Sequence, residues 1–288
     1  MNVTTRSALA AAAIFLAGTA LVGCTPDAAS SEAGPTPSAS ASATATPAPA
    51  ENYGDITLML DADGKPVTVT DEHGTYARTT ISATAAAMSV DPATLDMPAG
   101  APWSADDILS AQQWVAKFIV EEFLDSRAFD TKDGWSAWKA DEGQRYVNTG
   151  FIDLEKGIEE TGRSAIILNS SDKATIVSPR DGEPRFVSTE INVTDVANYE
   201  ENGGIYIRIA AETSSVIRVT DAAFIRSVQE ANPGSSMESI EADFPAYTDG
   251  VDGTWSLDAD IEYFLEKIEP SGWRIVGFNT DWEPEFER

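Results

Sequence analysis

One cysteine and one histidine in 288 residues define the chemistry this chain lacks. A single cysteine, Cys24, makes no disulfide within the chain and no thiolate zinc cluster. A Ser-His-Asp mechanism would have to use His73. That residue lies in Asp71-Glu72-His73-Gly74, between two β-prone runs, where a β-turn is the simpler reading. The Gly-x-Ser-x-Gly of many hydrolases does not occur. Basic residues are also scarce: 19 Lys and Arg stand against 47 Asp and Glu, for a net charge of −28. A charge of that sign argues against nucleic acid or an anionic membrane surface as partner. It suits a well-solvated acidic exterior, or binding of basic partners.

What is present begins with an address. Arg6 precedes an uncharged stretch from Ala8 to Val22 that carries Ile14, Phe15, Leu16 and Leu21. A membrane-spanning helix needs about 20 apolar residues. This run is shorter and gives way at once to Thr25-Pro26-Asp27, so a secretory signal describes it better. It ends in Leu21-Val22-Gly23-Cys24, which resembles the lipobox of bacterial lipoproteins. The resemblance implies that residues 1–23 are removed and that Cys24 is acylated on sulfur, becoming the mature N-terminus. The protein is then anchored in the cell membrane on its extracytoplasmic face, and several acyl chains give stable anchoring where one is marginal.

From Cys24 to Asn52 the composition is almost wholly Ala, Ser, Thr, Pro and Gly, with no aromatic residue before Tyr53. Too little apolar surface is available there to offset chain entropy, so a disordered tether is expected over 24–52. All seven Trp residues lie beyond position 100, which places the core in the C-terminal two thirds of the chain. Residues 53–100 read as a small β-meander: Ile56–Leu60, Val67–Thr70 and Thr75–Ile81 are short β-prone runs with turns between them. Asp61, Asp63 and Glu72 hold the first, third and twelfth positions of a would-be calcium loop, but Lys65 and Pro66 break the pattern, and no metal is expected there or at Asp249–Gly253.

Residues 101–288 read as an α+β domain. Ser104 with Asp107 forms a capping-box variant. Behind it Ile108, Ala111, Val115, Phe118, Ile119 and Phe123 recur every three or four residues, predicting a helix to about Ser126. Trp135, Trp138, Tyr146 and Val147 mark a second helical region, with Phe151–Glu160 a third. Strands are expected at Ser164–Leu168, Ala174–Ser178, Arg185–Thr194, Ile205–Glu212, Val216–Val219, Gly253–Leu265 and Gly272–Phe278, and a helix at Ala222–Glu230. Helices first and long antiparallel strands after them fit layered α+β architecture rather than alternating βαβ units.

The final strand, Gly272-Trp273-Arg274-Ile275-Val276-Gly277-Phe278, after a helix, short helices and a strand set, resembles the NTF2-like superfamily and the modules of that kind carried by bacterial lipoproteins. The resemblance covers about Trp103 to Trp282. It implies a cone of curved antiparallel sheet packed on N-terminal helices, with a pocket that is catalytic in some members and a ligand or partner site in others. Tyr206, Asp260 and Tyr263 are the candidate pocket residues. No catalytic residue is assigned and no cofactor is expected. Trp135 and Trp138 read as core more readily than as an exposed aromatic platform.

The function expected is that of a non-catalytic binding or interaction module of the cell envelope, for an envelope protein or a small ligand. The alternatives are an isomerase- or cyclase-type enzyme using the same pocket and a solute-binding lipoprotein. A homodimer through the open sheet face is compatible with the resemblance. Replacing Cys24 by Ser is expected to leave the domain folded and to release it from the membrane fraction. Retention of that variant in the membrane after a salt wash overturns the acylation.

Overall fold

Alternation of apolar and polar residues in the last third of the chain builds the sheet on which everything else rests. In the computed structural model the residues described are 53–71, 74–129, 134–154, 166–167, 181–219, 229, 234–243, 253–268 and 272–287. Four long strands, β7 (Ser188–Glu201), β8 (Gly204–Val219), β9 (Gly253–Ile268) and β10 (Gly272–Glu287), pair antiparallel in sequence order. A two-residue strand β5 (Leu95–Asp96) adds parallel to the outer edge of β7, so the order is β10-β9-β8-β7-β5. The fold class is therefore α+β, as the sequence predicts.

The β7–β8 turn follows from its residues. Glu201 faces Gly204 in the register, leaving Asn202 and Gly203 as the loop, with φ of 50° and 80°. Two successive positive φ values define the type I′ turn that an Asn-Gly pair favours, because its twist matches that of the flanking strands. Strands β8 and β10 run well past the predicted Ile205–Glu212 and Gly272–Phe278. Bulges between Val193 and Asp195 and between Ile275 and Gly277 interrupt the strict period of two and bend their strands.

One face of the sheet is covered. Helix α1 (Ala105–Phe118) starts at the capping box, where the Ser104 hydroxyl accepts from the Asp107 amide and the Asp107 carboxylate accepts from the Ser104 amide. Lys267 on β9 lies 2.7 Å from the same carboxylate and, with Ser104, holds its pKa down at about 2. Ile108, Ala111, Val115 and Phe118 pack onto Ile207, Ile209, Ile261, Leu265 and Ile275 in the main core. Trp273, the tryptophan of the final strand, donates its indole N–H to Ser110 of α1 at 3.1 Å and packs on Trp103. The helix then widens into a π-helical turn, Ile119–Leu124, closed by the Asp125 amide on the Val120 carbonyl.

Two short helices follow, α2 (Gly134–Ala140) and α3 (Glu142–Tyr146), and a further one, α4 (Met237–Asp243), comes between β8 and β9. The expected third helix is absent at Phe151–Leu154, which forms turns, and its remainder lies outside the described residues. So do most of the expected strands at 164–168 and 174–178, the expected helix at 222–230 except Gln229, His73, and the whole of 1–52.

The segment expected as a β-meander carries strands β1 (Ile56–Leu58), β2 (Thr68–Asp71), β3 (Gly74–Ala77) and β4 (Thr79–Ile81). They do not form one sheet. β1 pairs with β4, while β2 and β3 form a hairpin extended in parallel by β6 (Asp181–Pro184). Ile56, Ile81, Ala85 and Ala87 enter the same core cluster as α1 and the long sheet, and 52–288 forms one unit. Asp61 accepts the amides of Asp63 and Lys65 at 2.9 Å, the turn chemistry expected of an aspartate in a tight loop.

A buried polar node locks this segment to the π-turn. Asp125 and Arg185 are wholly buried, with Nη1 and Oδ1 3.6 Å apart. Asp125 Oδ2 accepts the Thr79 amide at 3.1 Å, and Arg78 donates to the carbonyls of Glu121 and Asp125. Arg185 also donates to the Ser126 carbonyl and stacks on the ring of Tyr76, 4.1 Å from its centre. Removing one member of a buried ion pair strands the other charge. Asp125→Ala is therefore expected to lower stability by about 3–5 kcal/mol in equilibrium denaturation. Lys117→Ala, at the exposed end of the Lys117–Glu121 pair, is expected to cost less than about 0.5 kcal/mol.

Candidate functional site

The period of two separates the three residues expected to share a pocket. Tyr263 lies on the covered face with Ile261 and Leu265, fully buried. Its hydroxyl donates to the Ile166 carbonyl at 2.9 Å, and burial pushes its pKa well up. Asp260 and Tyr206 are on the opposite face. Asp260 is exposed, between Glu212 and Asp281 in the register, and Tyr206 is half-buried opposite Tyr199. The structure does not bring the three together.

The space between α1 and the sheet is filled from within. Trp114 stacks on Phe118 at 5.4 Å, and Phe118 meets both Tyr146 and Tyr263 edge-on at 5.4 and 5.3 Å. These rings occupy the position where the resemblance implies a pocket. Trp135 and Trp138 stack at 5.3 Å, and Trp138 is buried in the core.

One desolvated carboxyl sits in the helical layer. Glu122, on the π-turn, is buried and accepts the Trp138 indole N–H at 2.7 Å. Burial raises its pKa to about 7, against the opposing influence of that hydrogen bond and of Arg78, with Glu142 and Glu121 adding to the rise. The sequence reading missed Glu122, because it is one of two adjacent glutamates and only the π-turn decides which of them points inwards.

Two open concavities are formed by the described residues. One, of about 570 Å³, runs along α2 and α3 and is lined by Ser136, Lys139, Gln144, Thr149, Asp153 and Leu154 among others. Ser136 and Lys139 have the Ser-x-x-Lys spacing of some acyl-transfer enzymes, a feature the sequence reading passed over. The Lys139 ammonium, however, lies over the Trp135 ring at 5.5 Å. A second such spacing, Ser170 to Lys173, lies outside the described residues.

The other concavity, about 140 Å³, opens on the uncovered face of the sheet beside the β7–β8 turn. Tyr199, Tyr206, Phe264 and Phe151 form it, with Glu201, Asn202 and the β10 bulge at its rim. Tyr199 lies 4.5 Å from Phe264, and Phe151 meets Tyr206 edge-on at 6.3 Å. A side chain at Gly204 would meet the Tyr206 ring and hydroxyl, so the glycine leaves Tyr206 its place. Burial and the Glu201 carboxylate push the Tyr199 hydroxyl pKa up.

Along the rest of that face carboxylates dominate. Glu212, Asp260 and Asp281 stand directly opposite one another across β8, β9 and β10, all exposed. Glu190 and Asp258 flank Ser214 one row further on. Arg208 answers part of this charge, pairing with Asp195 on β7 and, at 3.2 Å, with Glu262 on β9. Among the described residues no group of three acidic, histidine or cysteine side chains is placed to hold a metal ion. None of the described helices is long and apolar enough to cross a membrane.

No protein-family model, curated protein or solved structure matches the chain.

The Glu122 carboxyl yields a pH-dependent expectation. Its pKa is about 7 when folded and near 4.5 when unfolded, so its contribution to stability is fully present below 4.5 and is lost as pH rises through 7. Glu122→Gln keeps an acceptor for Trp138 and carries no charge. It is expected to raise stability at pH 8 by about 1–3 kcal/mol and to change it little at pH 4.5, as read from denaturation midpoints. An equal effect at both pH values counts against a buried, protonated Glu122.

Proposed function

We propose that this is a lipid-anchored extracytoplasmic protein of the cell envelope whose α+β domain acts as a non-catalytic binding module, meeting its partner on the uncovered face of the sheet. One observation carries the choice of module over enzyme: the site between α1 and the sheet is filled by Trp114, Phe118, Tyr146 and Tyr263. A catalytic pocket needs room for substrate beside its acid or base. Here the desolvated carboxyl of Glu122 is already engaged by Trp138.

The anchor rests on Leu21-Val22-Gly23-Cys24. An NTF2-like cone is supported by the order of elements, a long capped helix followed by antiparallel strands that end in Gly272-Trp273, with the tryptophan seated against α1. On this reading the tether of 24–52 holds the module away from the membrane, and the acidic face is its working surface.

Site-specific photo-crosslinking in intact cells tests the assignment of the face. A crosslinker at Ser214, in the middle of the uncovered face, is expected to yield discrete adducts, whereas one at Ser136 on α2 yields none. Adducts from position 136 alone overturn the reading.

A further inference from the structure

We infer that the aromatic groove beside the β7–β8 turn receives an arginine side chain from an extended, basic polypeptide segment of another protein. This rests on the reading of the uncovered face as the binding surface, and it specifies the chemistry of what binds there.

Aromatic surface lines the groove. Tyr199, Tyr206, Phe264 and Phe151 surround a space of about 140 Å³. Phe151 is an exposed large hydrophobic residue, at 57%. Exposed aromatic rings close together attract a partner that covers them. The volume is well under the 300–1,000 Å³ typical of small-molecule pockets, and it suits the head of a single side chain.

Charge selects which side chain. Glu201 lines the groove, while the chain as a whole carries −28. A cation over aromatic faces is stabilised by the ring quadrupole, and a guanidinium also lies flat on a ring while its edge donates two parallel hydrogen bonds to a carboxylate. Lysine offers a point charge with a tighter hydration shell, so arginine fits this combination better.

The strand beyond the groove leads to more negative charge. Six residues separate Tyr206 from Glu212 along β8, roughly 20 Å of strand at about 3.3 Å per residue. An extended segment whose arginine enters the groove therefore passes over Arg208, with its two carboxylate partners, and arrives at the Glu212–Asp260–Asp281 row. Further basic side chains meet opposite charge there. A second copy of the chain presents carboxylates to carboxylates on the same face, which disfavours a homodimer through it.

The test is binding of fluorescently labelled octa-arginine and octa-lysine to the full chain in detergent, followed by anisotropy. Octa-arginine is expected to bind several-fold more tightly than octa-lysine. Phe151→Ala combined with Tyr199→Ala leaves the net charge unchanged and is expected to weaken octa-arginine at least tenfold. Glu201→Gln, at an exposed residue, is expected to weaken it about threefold, with thermal unfolding confirming that the variants stay folded. Binding that ignores the aromatic substitutions is diffuse attraction to an acidic chain and overturns the proposal, as does preference for a neutral peptide over octa-arginine. Absence of octa-arginine binding together with crosslinks from position 214 overturns the arginine assignment and leaves the face reading standing. Groove-dependent binding without those crosslinks supports the groove and counts against the wider face.

Discussion

The wholly buried Asp125–Arg185 pair is the constraint on which the arrangement of layers depends. Asp125 ends the π-turn, Thr79 and Arg78 belong to the β-rich N-terminal segment, and Arg185 lies between β6 and β7. Three stretches far apart in the chain thus meet at one carboxylate. Burying a charge without partners costs several kcal/mol, so these groups are satisfied only when all three stretches are in place. The node makes position specific, and the π-turn gives it the geometry: the extra residue per turn rotates the chain so that Glu122 faces Trp138 while Asp125 faces Thr79.

With the layers fixed, the sheet divides its chemistry by parity. Ile207, Ile209, Ala211, Ile261, Tyr263 and Leu265 face α1, and their neighbours in the chain face away. Trp273 and Lys267 tie the helix to the strands at one end, through Ser110 and Asp107. Opposite faces of the same strands therefore carry a sealed aromatic core and a polar surface whose charge Arg208 partly answers. Residues that hold the fold and residues of the uncovered face are separated by a single step along the chain, so that face can vary without disturbing the core.

This separation explains which parts were legible in the sequence. Helix α1 was readable because its signals are local: a serine and an aspartate three apart, then apolar residues at helical spacing. The Asn202-Gly203 turn carries its own conformation. That Asp260 and Tyr263 face opposite ways was itself readable, since they are an odd number of residues apart on one uninterrupted strand. Gln112, Asp125 and Arg185 were not legible. A glutamine whose amide caps the carbonyls of Ala87 and Ser89, or an arginine buried on Tyr76, looks like any surface polar residue until the tertiary partner is known. The bulges at Val193–Asp195 and Ile275–Gly277 likewise depend on the partner strand rather than on local composition.

The acidic row sets a last constraint. Like charges directly opposite one another on neighbouring strands destabilise a sheet, each pair by a few tenths of a kcal/mol to about 1 kcal/mol. Glu212, Asp260 and Asp281 form two such contacts in line, with no lysine or arginine in the row, since its fourth member, on β7, is Asn192. Screening by salt reduces the penalty at an exposed face but does not reverse its sign. Uncharged polar residues at these positions would solvate the sheet equally well without mutual repulsion. A concentrated negative potential beside an aromatic groove suits the cationic partner proposed above. On the proposed reading, stability lost in the free module is recovered on binding, because each basic side chain that reaches the row relieves repulsion as well as forming its own ion pair.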